Sequence, residues 1–110
     1  MAAALALMLL ALTGLRGELA AAGPVAEASA TKRVEINHFA FHPPTLTIAR
    51  GTTVKFANAS QVTHTATAGG VFNSGHIGPG MSISIRFNQV GSFSYHCMIH
   101  PLMHGKIIVQ

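Results

Sequence analysis

The sequence predicts an all-β sandwich or barrel, and three observations carry that expectation. From Arg33 onward apolar residues recur with period two in short stretches, the mark of strands buried on one face. These stretches number about seven and are separated by turns rich in Gly and Pro. No segment of this region carries the 3.6-residue apolar stripe of an amphipathic helix.

In chain order, Val34 and Ile36 alternate with Arg33, Glu35 and Asn37 to make a first strand. Residues 38–44 (HFAFHPP) break it with two aromatics and a Pro-Pro pair. Leu46 and Ile48 alternate with Thr45, Thr47 and Ala49 before Arg50-Gly51 turns the chain. Val54, Phe56 and Asn58 share one face of the next strand, and Thr53, Lys55 and Ala57 the other. A further run covers residues 64–68, Gly69-Gly70 ends it, and a loop fills residues 71–80. Ile83, Ile85 and Phe87 then oppose Ser82, Ser84 and Arg86. After Gly91, Phe93, Tyr95 and Cys97 oppose Ser92, Ser94 and His96, and a last strand takes residues 106–110.

A length of 110 residues accommodates one domain. Residues 2–12 (AAALALMLLAL) are uninterruptedly apolar and are followed by small residues in A-x-A-like sites. A membrane-spanning helix needs roughly 20 apolar residues, so this segment reads as a secretory signal over residues 1–30, cleaved to leave a domain over residues 31–110. No Lys or Arg precedes the run and Arg16 follows it, an arrangement that a retained N-terminal anchor also fits. The expected location is the periplasm or another exported compartment.

The domain carries Lys32, Arg33, Arg50, Lys55, Arg86 and Lys106 against the single acid Glu35. Such a balance steers encounters toward acidic partners, or serves solubility alone. The cations are scattered singly, not gathered on one stripe, which excludes the usual nucleic-acid footprint.

The chemistry concentrates in the tail, YHCMIHPLMHGKIIVQ. Cys97 is the only cysteine and has no internal disulfide partner, so it is an intermolecular link, a free thiol or a ligand. His100 and Met103 follow at three-residue intervals, and a thiolate, an imidazole and a thioether form a soft set that prefers copper. Cys97 faces inward at the end of its strand, whereas His96 faces outward and cannot reach the same ion. Pro101 stiffens the loop and Gly105 lets the chain turn into the last strand. A blue-copper site needs a second imidazole. Six histidines besides His100 are available, and His64, which follows a loop after an inward-facing strand, is the best placed. His38 and His42 lie in the Phe-rich segment before Pro43-Pro44 and His76 in the Gly-rich loop, where a lone histidine is more often a surface or satisfied core residue than a ligand, and His104, next to Met103, should face away from the ion.

These residues resemble the cupredoxins of the plastocyanin group, and the tail, Tyr95-His96-Cys97 through His100-Pro101-Leu102-Met103 to Gly105-Lys106, is most similar to the amicyanins. FHPPTLTI over residues 41–48, GTTVKFAN over residues 51–58, and residues 72–80 with Ser82 and Phe87 extend the resemblance over the whole domain. It implies a Greek-key sandwich of seven to eight strands and one type 1 copper ion held by His64, Cys97, His100 and axial Met103. It also draws Asn58, Thr65 and Ile99 into the surroundings of these ligands. The family often has Pro before and Asn after its first copper histidine, where this chain has Thr63 and Thr65. That Asn ties the two ligand loops together and turns its N–H toward the sulfur, and Thr65 retains an N–H and a hydroxyl for the same task. Ile99 stands where the amicyanins usually carry Pro, so it supplies an N–H near the thiolate and is expected to raise the reduction potential above that of an Ile99→Pro variant.

The expectation is a monomeric, non-enzymatic electron carrier, because the ligand set is filled and leaves no open position for a substrate. Electrons would leave through His100 and an apolar patch of Met98, Pro101 and Leu102. The resemblance implies a redox partner such as a dehydrogenase, a cytochrome or a reductase, with an acidic docking face. The rival reading is a copper carrier or resistance protein using the same ligands without electron transfer.

Overall fold

The computed structural model describes residues 30–110, so the expected leader, Ala30 apart, lies outside the described residues. Among the described residues nine strands are present: β1 (Thr31–Asn37), β2 (Ala40–His42), β3 (Thr45–Ile48), β4 (Thr52–Asn58), β5 (Thr67–Ala68), β6 (Phe72–Asn73), β7 (Ser82–Phe87), β8 (Gly91–His96) and β9 (His104–Val109). They form one sheet in the order β2-β1-β4-β7 and a second in the order β3-β9-β8-β5-β6, with no helix among the described residues. β1 runs parallel to β4 and β3 parallel to β9, and the remaining pairs are antiparallel.

The period-two faces meet as the alternation requires. Val34, Ile36, Val54, Phe56 and Phe87 from the first sheet are buried against Ile48, Tyr95, Ile107 and Val109 from the second. Full burial of such a side chain is worth about 1.5–3 kcal/mol, and this layer is the main cohesive term of the sandwich. The Tyr95 ring is its centre, 4.7 Å from Phe41, 5.6 Å from Phe56 and 5.7 Å from Phe72 between centroids. Its hydroxyl is buried with no hydrogen-bond partner among the described residues, and burial pushes its pKa up.

Four local expectations are corrected. Residues 38–44 do not simply interrupt the chain: they hold β2, folded back on β1 with Asn37 paired to Ala40. His38 and Phe39 form the two-residue turn, with φ of 50° and 55°, a left-handed pair normally signalled by Asn-Gly. The run over residues 64–68 keeps only β5, because His64 instead meets Ile77 in an isolated bridge, and the loop over residues 71–80 includes β6. The last strand begins at His104, so Gly105 lies within it and not at a turn. Gly105 is paired with Tyr95, and a Cβ there would collide with the Tyr95 ring. Glycine is required here for space.

β1, β4 and β8 all finish at the same end of the sandwich. The β1–β2 turn, residues 59–66 and residues 97–103 are thereby gathered into one cluster of loops.

Candidate metal centre

One wall of this cluster carries His64, and Asn58 builds it. Asn58 is buried at the end of β4 and donates from Nδ2 to the carbonyls of Val62 and Ile77, both at 2.8 Å. Its Oδ1 accepts from Ser60 N at 2.9 Å and from Ser60 Oγ at 2.7 Å. One side chain thus folds the loop that leads to His64 and anchors Ile77 beside it. His64 N donates to Ile77 O at 3.1 Å and Ile77 N to His64 O at 2.8 Å. The His64 side chain is fully buried.

The opposite wall is the loop after β8. Cys97 is buried, as the alternation of Phe93 and Tyr95 predicts. Cys97 N donates to Met103 O at 3.2 Å and Met103 N to His100 O at 2.9 Å, which curls three candidate ligands into one tight turn. Met103 is also buried and His100 is half-buried. Met98, Ile99, Pro101 and Leu102 project outward around it.

Thr65 joins the walls twice. Its N–H donates to Cys97 Sγ at 3.3 Å, and its Oγ1 accepts from Met98 N at 2.9 Å. Ile99 shows no such contact: among the described residues no hydrogen bond runs from its N–H to Sγ, and its side chain is exposed. The loop's own curl, closed at Cys97 and Met103, leaves Thr65 N–H as the sulfur's donor. The expected effect of Ile99 on the potential therefore lacks its geometric basis.

Three donor atoms converge between the walls. Cys97 Sγ lies 3.7 Å from His64 Nδ1 and 3.7 Å from His100 Nδ1, and the two nitrogens are 3.1 Å apart. Donors sharing one ion at about 2.0 Å for nitrogen and about 2.3 Å for sulfur stand at such separations. Burial, and then the neighbouring His100, hold the His64 imidazole below its ordinary pKa, so it offers a free-base nitrogen at neutral pH. His64 Nε2 is buried without a hydrogen-bond partner among the described residues. The donor set fits copper: a buried thiolate, two imidazoles meeting it through Nδ1, and a thioether on the same turn.

The remaining histidines stay apart from this group. His96 and His104 face each other across β8 and β9 on the outer side, with ring centroids 6.4 Å apart. His38, His42 and His76 are exposed, and His42 Nε2 lies 3.2 Å from Asn37 O. Sequence reasoning missed Phe39, whose ring stands nearly perpendicular to those of His64 and His100, 5.7 Å and 5.1 Å away. The signal that could have found it is the two-residue spacing between Asn37 and Ala40, which fits a hairpin turn.

A two-sheet sandwich with a buried sulfur-and-imidazole group at one end defines a small all-β metalloprotein of the copper-binding kind. The comparisons make this specific. The cupredoxin-like domain family matches residues 1–109. The chain is 31% identical over 83 residues to amicyanin of Paracoccus denitrificans, covering 70% of this chain and 63% of that protein. It is 31% identical over 90 residues to amicyanin-alpha of Methylorubrum extorquens, covering 70% of each. Among solved structures, a reduced tryptophan-to-tyrosine variant of amicyanin aligns with a TM-score of 0.70 at 26% identity, over 74% of this chain and 83% of that one. A purple cupredoxin from Nitrosopumilus maritimus shares the fold, with a TM-score of 0.69 at 24% identity over 72% of this chain and 99% of that one. The chain thus spans a little under two thirds, 63%, of the Paracoccus protein. This chain belongs to the cupredoxin-like family.

Proposed function

We propose that this chain is a blue copper protein that carries single electrons between larger redox partners, with one copper ion held by His64, Cys97, His100 and Met103. The observation that carries the reading is the convergence of Cys97 Sγ with the two Nδ1 atoms at 3.7 Å, inside a shell that excludes water around the sulfur. A bound copper supplies a one-electron Cu(I)/Cu(II) couple. The protein's part is to hold the donors still. Asn58 fixes the approach to His64, the curl of residues 97–103 fixes the other three, and Thr65 N–H stabilises negative charge on the sulfur. Little rearrangement of protein groups is then needed when charge changes at the site.

Of the two imidazoles proposed as ligands, His64 is fully buried and His100 is half-buried, and Met98, Ile99 and Leu102 are exposed beside His100. Together with Pro101 they give a small apolar face suited to brief docking, where the electron enters or leaves. The excess of cations over Glu35 biases encounters toward partners with an acidic face, such as a dehydrogenase, a cytochrome or a reductase. The chain acts as a monomer without catalysis of its own. Residues 1–30 serve as a cleaved leader that delivers it to the periplasm or another exported compartment; the mass of the exported protein tests this.

The experiment that decides the function is the visible spectrum after addition of Cu(II), with Cys97→Ser alongside. An intense band in the red, absent from the variant, is the expected result. A colourless protein that still binds Cu(I) would replace electron transfer with copper carriage.

A further inference from the structure

The β1–β2 turn is built against its own local preference. Both central residues have positive φ, 50° at His38 and 55° at Phe39, where Asn-Gly or Gly-Gly is the low-energy choice. His tolerates the left-handed region moderately, but a bulky aromatic residue there is a genuine outlier. Burial does not compensate for it, since Phe39 remains 59% exposed. The ring's contacts are what distinguish it. It stands at 82° to both His64 and His100, with centroids 5.7 Å and 5.1 Å away, and these two rings are themselves 4.8 Å apart. It also lines a surface depression of about 390 Å³ with Ile99, His100, Pro101, Leu102 and Met103.

We infer that Phe39 is a positioning residue, an aromatic brace that holds both imidazoles with their Nδ1 atoms turned toward Cys97 Sγ. His64 needs such a brace because its Nε2 has no hydrogen-bond partner among the described residues. His100 needs one because its loop is pinned through the backbone, and the polar approaches found for its ring are those of Nδ1 to Cys97 Sγ and His64 Nδ1. In many metal sites a hydrogen bond to the far ring nitrogen supplies this restraint; here edge-to-face contact with one ring supplies it for both ligands. Backbone strain located beside a functional group is the expected signature of such a role.

The inference rests on the copper reading, and three variants test it. Phe39→Gly relaxes the turn and removes the ring, Phe39→Leu keeps apolar bulk and strain, and Phe39→Tyr keeps the ring. In the metal-free protein, Phe39→Gly is expected to raise Tm by about 4 °C or more through relief of the turn. The same variant and Phe39→Leu are expected to weaken Cu(II) binding about tenfold or more, whereas Phe39→Tyr retains it. Proton NMR of the metal-free wild type should show contacts from the Phe39 ring to both histidine rings, and faster His100 ring motion in the Leu variant. Unchanged affinity in both Gly and Leu variants overturns the inference, as does a Phe39 ring without contacts to the histidines. Wild-type protein that takes up no Cu(II) sinks the copper reading, and the NMR contacts and ring motion still decide whether Phe39 braces the pair.

Discussion

The two walls of the metal centre are built by opposite means. The His64 wall is a web of side-chain hydrogen bonds: Asn58 makes four, and the His64–Ile77 bridge adds two more between backbones. The wall of residues 97–103 has almost no side-chain bonds of its own and is held by short backbone links and the tie to Thr65. One wall buries its anchor Asn58 and its one candidate ligand His64, although Ala59, Gln61 and Val62 between them are exposed, and is stiffened by these bonds. The other places three candidate ligands on a turn whose remaining side chains are exposed, Leu102 at 93%. The difference teaches that rigidity and access are assigned to separate segments, since a loop that must meet partners cannot also be enclosed by packing.

The largest expected effect comes from breaking the stiff wall. Asn58→Ala deletes four hydrogen bonds, releasing the Ser60 turn and leaving the Ile77 carbonyl with His64 N–H as its remaining donor, which should cost about 2–4 kcal/mol in denaturant unfolding of the metal-free protein; a cost under about 1 kcal/mol would show that backbone bonds alone hold His64. Thr65→Val cuts the tie between the walls by removing the acceptor for Met98 N–H. It should cost about 1–2 kcal/mol yet keep the red absorption band, because the bond to Cys97 Sγ comes from the backbone. Disappearance of the band would mean that the hydroxyl, not the N–H, sets the sulfur's surroundings.

Acid should act on the stiff wall. His64 titrates below its ordinary value in the folded chain, through burial first and His100 second, and near about 6.5 when unfolded. Between these values the unfolded state binds more protons, so stability of the metal-free protein falls as pH drops below about 6.5. A thermal unfolding series from neutral to mildly acidic pH tests the slope, which His64→Gln should flatten. The smallest stability effect belongs to the exposed wall. Leu102→Ala should stay within about 0.5 kcal/mol while slowing electron exchange with an acidic redox partner; an equal rate would move the docking face elsewhere.

Much of the site was legible because its elements are local. The pleat turns alternate residues to opposite faces, so Phe93, Tyr95 and Cys97 were placed inward and His96 outward from the pattern alone. The spacing of Cys97, His100 and Met103 lies within one loop and needs no tertiary knowledge. The strand over β2 was not legible, since its turn carries His38 and Phe39 where turn chemistry asks for Asn or Gly. Gly105 was read as a turn residue because glycine's need for space, set by Tyr95 on the neighbouring strand, leaves no trace in the local pattern. Ile99 was expected to bring an N–H near the thiolate, and spacing along the chain does not set the direction in which a backbone N–H points.

What the amino-acid order determined by itself is the class of sandwich, the inward set of core residues and the soft character of the tail's ligands, because periodicity and chemical type are properties of neighbours in the chain. What only the tertiary structure decided is which distant groups meet: the approach of His64 to Cys97, the double tie of Thr65, and the Phe39 ring against two imidazoles. Those meetings depend on how β1, β4 and β8 come to end together, and that register is set by packing between sheets, far from any one stretch of sequence.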